Sequence, residues 1–352
     1  MREPTPPSPG PTAPPADTLS VRPVGGLGEV RAGDDLAALL AGACPDLRDG
    51  DVLVVTSKVI SKAEGRVVAG DRGDLLAGQT ERVVARRGGT AIVRTPQGLV
   101  LAAGGIDASN TDPGTAVLLP EDPDRSARLL REALHASNGR NVAVVVSDTA
   151  GRAWREGQTD QAVGVAGLPP LLDLAGHTDP HGNRLAVTAP ALADAVAAAA
   201  DLVKGKLSRC PAAVVSGLAR QVLPVDEHGP GAVALVRAPE RDMFGYGARD
   251  AVLAAVGAVV AGAAAPPAER LLRDTGFGAP APADEVARSL RELLAPLTAR
   301  VEVETGDGVV VELPVDDPAL AACCRVAAYA LGWGDDDALG QRVRLRPLPG
   351  TP

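Results

Sequence analysis

Three observations in this chain predict an α+β fold. Three short apolar runs rich in β-branched residues, 51–56, 98–103 and 141–146, each end in a segment of small polar side chains. Helical patterns lie between and after them. Near the C-terminus, Val301-Glu302-Val303-Glu304 and Val309-Val310-Val311-Glu312 flank Gly306-Asp307-Gly308, a hairpin signal.

The elements follow in order. Residues 1–19 form a Pro-rich tail with almost no large apolar side chain, expected to be disordered. Structure is expected to begin near Leu19. Asp34-Asp35 then precede an apolar helix over 36–43, and the strand at 51–56 empties into Ser57-Lys58-Val59-Ile60-Ser61-Lys62. The strand at 98–103 runs into a loop around Asp107, and that at 141–146 into a loop around Asp148. Between these two, residues 124–136 are amphipathic, with Leu129, Leu130, Ala133 and Leu134 on one side. Residues 185–188 read as a short strand, 189–203 as an Ala-rich helix and 212–215 as another strand. Beyond Gly247 come helices over 250–263 and 284–294, the hairpin, a helix over 318–331 and a strand over 342–346. The organisation predicted is a tail (1–19), a main domain (20–248) and a small α+β extension (249–352).

Composition excludes several function classes. At 352 residues the chain can bury a full-sized core, and its net charge of -9 argues against nucleic acid as a partner. Cys44, Cys210, Cys323 and Cys324 form no Cys-x-x-Cys pair, and the four histidines lack zinc-ligand spacing, which suits a reducing cytoplasm. No apolar leader opens the chain, so no signal peptide is expected. The most apolar stretch, 251–265, is too short for a membrane span and reads as a buried helix.

Two loops carry the chemistry. Gly104-Gly105-Ile106-Asp107-Ala108-Ser109-Asn110 and Ser147-Asp148-Thr149-Ala150-Gly151-Arg152 each place a carboxylate at a strand end beside hydroxyl or amide groups. Such oxygen donors suit a hard divalent cation and the phosphate oxygens it bridges, provided the loops meet. The same aspartates also suit ordinary turn and capping roles. Lys62 lies before a tight Ala63-Glu64-Gly65-Arg66 turn, and either compensates phosphate charge or sits on a solvated basic face. Residues 151–160, with Trp154, form a donor-rich loop for an anionic or planar substrate, or a salt-bridged surface. Gly25-Gly26-Leu27-Gly28 lacks the third Gly and the βα context of a dinucleotide fingerprint. Gly205-Lys206 lacks the rest of a phosphate-binding P-loop, so any nucleotide binds by another architecture.

Taken together, residues 51–66, 103–110 and 144–160 resemble the coenzyme F420-0:L-glutamate ligases. Support comes from Gly164–Leu168, Asp179–Asn183 and Leu202–Lys206, and the likeness runs unbroken from about residue 20 to 248. It implies an F420 ligase-like fold of mixed, largely antiparallel sheets with flanking helices, assembled as an intertwined homodimer. It also implies a cytoplasmic, GTP-dependent enzyme that adds L-glutamate to coenzyme F420-0 through an acyl phosphate. Two divalent ions, Mg or Mn, are implied, and a monovalent cation such as K fits the same pattern. By the motif match, Asp107 and Asp148 hold the first metal and Thr149 the second. Leu27, Gly28, Glu29, Val30, Ser57, Lys62, Asn110, Gly205 and Lys206 then line the GTP site, and Asp107, Asp148 and Lys62 carry the catalysis.

The chain departs from the family pattern at Gly28, where Pro is usual, and at Arg94-Thr95-Pro96-Gln97, where an Arg usually precedes the strand. The segment after Gly247 is shorter than the flavin-binding nitroreductase-like domain of some relatives, so no flavin activity is expected. Two other readings are a nucleotide-dependent ligase for a different acid and a nucleotide-binding protein without turnover.

Overall fold

The structure is a computed structural model. It describes residues 18–87, 90–109, 111–238, 242, 244, 247, 283–294, 300–304, 308–313, 318–339 and 342–347. Residues 1–17 of the tail 1–19 expected to be disordered, the helix over 250–263 and the site residue Asn110 lie outside the described residues. The chain divides into two compact units, Met1–Thr80 with Thr95–Val236, and Glu81–Arg94 with Arg237–Pro352.

In the first unit the elements are β1 (Ser20–Val24), α1 (Leu36–Ala43), β2 (Val52–Thr56), α2 (Ser57–Ala63), β3 (Val67–Ala69) and α3 (Arg72–Leu76). The second unit contributes a hairpin, β4 (Arg82–Arg87) and β5 (Thr90–Arg94). The first unit resumes with β6 (Val100–Ala102), β7 (Thr115–Val117), α4 (Pro123–Asn138), β8 (Ala143–Arg152), β9 (Arg155–Ala166), α5 (Leu192–Lys204) and β10 (Ala212–Ser216).

A five-stranded sheet in the order β1-β10-β2-β8-β9 forms its centre. Only β2 and β8 run parallel; the other neighbours are antiparallel, so the sheet is mixed as expected. Both faces are covered, which explains why β2 and the start of β8 are apolar without alternation. Leu53, Val55, Val144, Val146 and Val214 pack with Leu40, Leu130 and Leu134 of α1 and α4. Val52, Val54, Val145, Ala213 and Val215 pack with Val196, Ala197 and Ala200 of α5.

Local signals place the helices. The Asp35 carboxylate accepts a hydrogen bond from the Ala38 N–H at 3.0 Å and starts α1. α4 begins with Asp122 as cap and Pro123 in its first turn, and stops at Gly139 in the left-handed region. Its inner stripe is Ala127, Leu130, Arg131 and Leu134, at helical spacing, whereas Leu129 and Ala133 are exposed. The expected apolar face was therefore rotated by one residue, because the buried Arg131 belongs to it.

Three further expectations change. Ser57–Lys62 is the helix α2 joined directly to β2, and residues 185–188 form no strand. β8 continues through Asp148 and Thr149 to Arg152, because the polar run 155–166 is its hairpin partner β9.

The second unit also contains α6 (Ala283–Leu294), β11 (Arg300–Glu304), β12 (Gly308–Glu312), α7 (Pro318–Ala330), β13 (Trp333–Leu339) and β14 (Arg342–Pro347). The strands form an antiparallel sheet in the order β11-β12-β14-β13. Val286, Leu290 and Leu294 of α6 share a core with Cys324, Val309, Val311, Trp333 and Leu345. Among the described residues no helix is long and apolar enough to cross a membrane.

Candidate active site

The α2 N-terminus joins the two acidic segments. Thr56, the last residue of β2, pairs with Ser147 of β8, so Ser57 just beyond the end of β2 meets Asp148, which lies within β8. Ser57 Oγ donates to Asp148 Oδ1 at 2.9 Å. Its neighbour Lys58 reaches the other segment: Nζ lies 2.7 Å from Asp107 Oδ2, 2.8 Å from Ser109 Oγ and 3.0 Å from the Ser109 carbonyl. Asp107 is itself fixed by a backbone bridge to Val117 of β7, and its Oδ1 accepts from the Ser109 N–H at 2.7 Å. The sequence offered Lys58 only as one of two lysines in the segment. Its bond to Asp107 spans 49 residues of chain, which no local pattern reveals.

The two carboxylates differ electrostatically. Burial pushes the Asp148 carboxyl up to about 6; the Ser57 hydrogen bond opposes this, and the charges of Asp160 and Asp107 add to it. At Asp107 burial also raises the pKa, but Lys58 and the Ser109 donors outweigh it and hold the carboxyl below its ordinary range. Asp148 is thus a half-buried carboxylate short of positive charge, while Asp107 already has an ammonium.

Thr149 sits one residue along β8. Its hydroxyl donates to Asp160 Oδ1 at 2.7 Å and accepts from Lys206 Nζ at 2.7 Å. Lys206 follows the end of α5, where Gly205 takes a left-handed φ of 59°. The loop 205–206 is thereby drawn to the strand bearing Asp148.

The remaining predicted residues lie in the same unit. Leu27, Gly28, Glu29 and Val30 form the segment between β1 and α1, with Val30 buried and Gly28 and Glu29 exposed. Lys62 is buried on α2 and forms an ion pair with Glu29, which ties this segment to the helix. A cavity of about 310 Å³ near the C-terminal end of α4 is lined by Arg131, His135, Arg140 and His228, among others, and by none of the predicted site residues.

The donor set fits a hard cation. Among the described residues no three His, Cys, Asp or Glu side chains converge as a closed metal cage. Two carboxylates and a hydroxyl fit instead the partial coordination through which Mg2+ is held, with water and phosphate oxygens completing the shell. The charge-poor Asp148 and the ammonium groups already seated on Asp107 and Thr149 mark positions that attract positive charge.

A mixed sheet with a carboxylate, hydroxyl and ammonium cluster beside the end of β2 forms the candidate site, and the comparisons with known proteins supply its class. Residues 26–217, which contain every residue of this cluster, match the family described as F420-0:Gamma-glutamyl ligase. The chain belongs to that family, and is an enzyme of the ligase class that forms carbon–nitrogen bonds. It is 40% identical over 249 residues to the Coenzyme F420:L-glutamate ligase of Methanopyrus kandleri, covering 64% of this chain and 98% of the relative. Its identity to the protein of the same name from Methanothermobacter thermautotrophicus is 36%, over 64% and 98% of the two chains. For the Halobacterium salinarum protein it is 40%, over 52% and 80%.

Proposed function

We propose that this protein joins L-glutamate to coenzyme F420-0 in a GTP-dependent and metal-dependent amide ligation. The observation that carries the reading is the bridge made by α2, with Ser57 on Asp148 and Lys58 on Asp107, inside the segment that matches the family. The family description supplies F420-0 as the acceptor, and the names of the relatives supply L-glutamate.

On this reading Asp107, Asp148 and Thr149 hold two divalent ions, Mg or Mn, with K as a monovalent helper. The metals supply charge neutralisation for the triphosphate. Leu27 to Val30, Ser57, Lys62, Asn110, Gly205 and Lys206 receive GTP. The terminal phosphoryl group passes to the substrate carboxylate, and the glutamate amine then displaces phosphate from the acyl phosphate. Lys62 and Lys206 spread the negative charge that grows on the transferring group. Ser57 keeps Asp148 ionised and oriented. The working unit is an F420 ligase-like homodimer in the cytoplasm.

Incubation with GTP, Mn2+, L-glutamate and F420-0, followed by product mass, tests the reaction. A mass gain of one or more glutamyl residues, dependent on GTP, is expected. GTP hydrolysis only with a different carboxylic acid, or nucleotide binding without turnover, overturns it.

A further inference from the structure

Behind Thr149 lies an ion pair without an assigned role. Lys204, the last residue of α5, and Asp160 of β9 are each 4% exposed, and Lys204 Nζ sits 2.5 Å from Asp160 Oδ2. Ser147, fully buried, donates its hydroxyl to the same Oδ2 at 2.8 Å and accepts from Lys204 Nζ at 2.6 Å. The other oxygen, Oδ1, accepts the Thr149 hydroxyl. Asp160 therefore spends both oxygens on side chains of its own protein.

Burying two charges is expensive, and an apolar pair of equal size is usually as stable or more so. The fold alone therefore gives little reason for charges here. The geometry gives one. A hydroxyl has one proton and two lone pairs. Asp160 stands opposite Thr149 in the β8–β9 register and takes that proton, so both lone pairs of Thr149 Oγ1 are left to face a cation. The Lys206 ammonium, 2.7 Å away, occupies one of those directions. Lys204 and Ser147 in turn hold the Asp160 carboxylate in the orientation that accepts the proton.

We propose that Asp160 and Lys204 are positioning residues that lock the Thr149 hydroxyl as a pure acceptor towards a cation bound at the ligase site. This rests on the reading of Thr149 as a cation ligand given above. Asp160→Asn tests it sharply. Lys204 attracts the amide oxygen and repels the amide NH2, so the NH2 turns to Thr149 and forces its proton outward, towards the cation.

Mn2+ binding in the presence of GTP, followed by the electron paramagnetic resonance signal of free Mn2+, reads the effect without turnover. Asp160→Asn is expected to weaken binding about tenfold or more, the usual scale for a group that orients a metal ligand. Thr149→Val is expected to cause a similar loss, and combining the two to add little further. The pair Asp160→Leu with Lys204→Met removes both buried charges together. It should stay folded, its melting temperature lowered only by the orphaned Ser147 hydroxyl, while losing the same Mn2+ affinity. Unchanged Mn2+ binding in the folded Asp160 variants, beside a loss in Thr149→Val, overturns the positioning role. Independent, additive losses overturn it too. If Thr149→Val itself binds Mn2+ normally, the ligand reading of Thr149 fails and takes this inference with it.

Discussion

Ser57 Oγ donates to Asp148 Oδ1 across 91 residues of sequence. This one bond couples the first turn of α2 to the carboxylate on β8 that burial pushes up to about 6. A hydrogen bond to an ionised group is worth about 1.5–3 kcal/mol. Ser57→Ala is therefore expected to lower ligase turnover by roughly ten- to a hundredfold with little change in far-ultraviolet circular dichroism. Full activity in the alanine variant, measured with saturating GTP and Mn2+, contradicts the assignment.

Lys58 holds Asp107, but both side chains are partly open to solvent, so the pair contributes at most about 1 kcal/mol. Lys58→Met leaves Asp107 with no ammonium to compete against an added ion. Mn2+ measured without nucleotide should bind up to about fivefold more tightly, and the 107–109 segment should exchange amide protons faster. Weaker Mn2+ binding in this variant points instead to Lys58 as an organiser of the loop.

Gly164 on β9 marks a close approach rather than a turn. A Cβ placed there meets the Pro123 carbonyl oxygen at 2.2 Å, backbone against backbone at the start of α4. Gly164→Ala is expected to destabilise the protein by about 1–3 kcal/mol. Urea denaturation reads this directly, and an unchanged midpoint means that α4 can shift without cost.

Cys44 supplies a pH dependence. Burial pushes its thiol from 9.0 up to about 11. The folded state thus keeps a proton that the unfolded chain gives up. The associated stability is complete below about pH 9 and disappears as pH rises towards about 11, up to roughly 3 kcal/mol in total. The Cys44→Ala variant, although less stable at neutral pH, should lose less between pH 8 and 11 than the parent. Parallel curves for the two proteins are the contrary result.

Much of this was legible in the sequence, for identifiable reasons. β2, β10 and the start of β8 are buried on both faces, so their continuous Val-rich runs stand out. The caps of α1 and α4 are written in Asp35, Asp122, Pro123 and Gly139. β9 was hidden because its first half, Arg155–Thr159, is a solvated ribbon that needs no apolar face and so looks like a loop. α2 was hidden because seven residues are too few to show helical period after a β-branched strand. At the site, Asp107, Asp148, Thr149 and Lys62 could be singled out by residue type and position. The partners Lys58, Asp160 and Lys204 could not, since each acts through a contact 11 to 49 residues away that only the register and packing define.

Asp148 and Thr149 stand within the backbone ladder of β8 and β9, not on a swinging segment. Fraying the proposed site therefore means unzipping part of the central sheet. On gradual heating, catalytic competence should vanish together with the cooperative melting of this unit, leaving no temperature window of folded but silent enzyme.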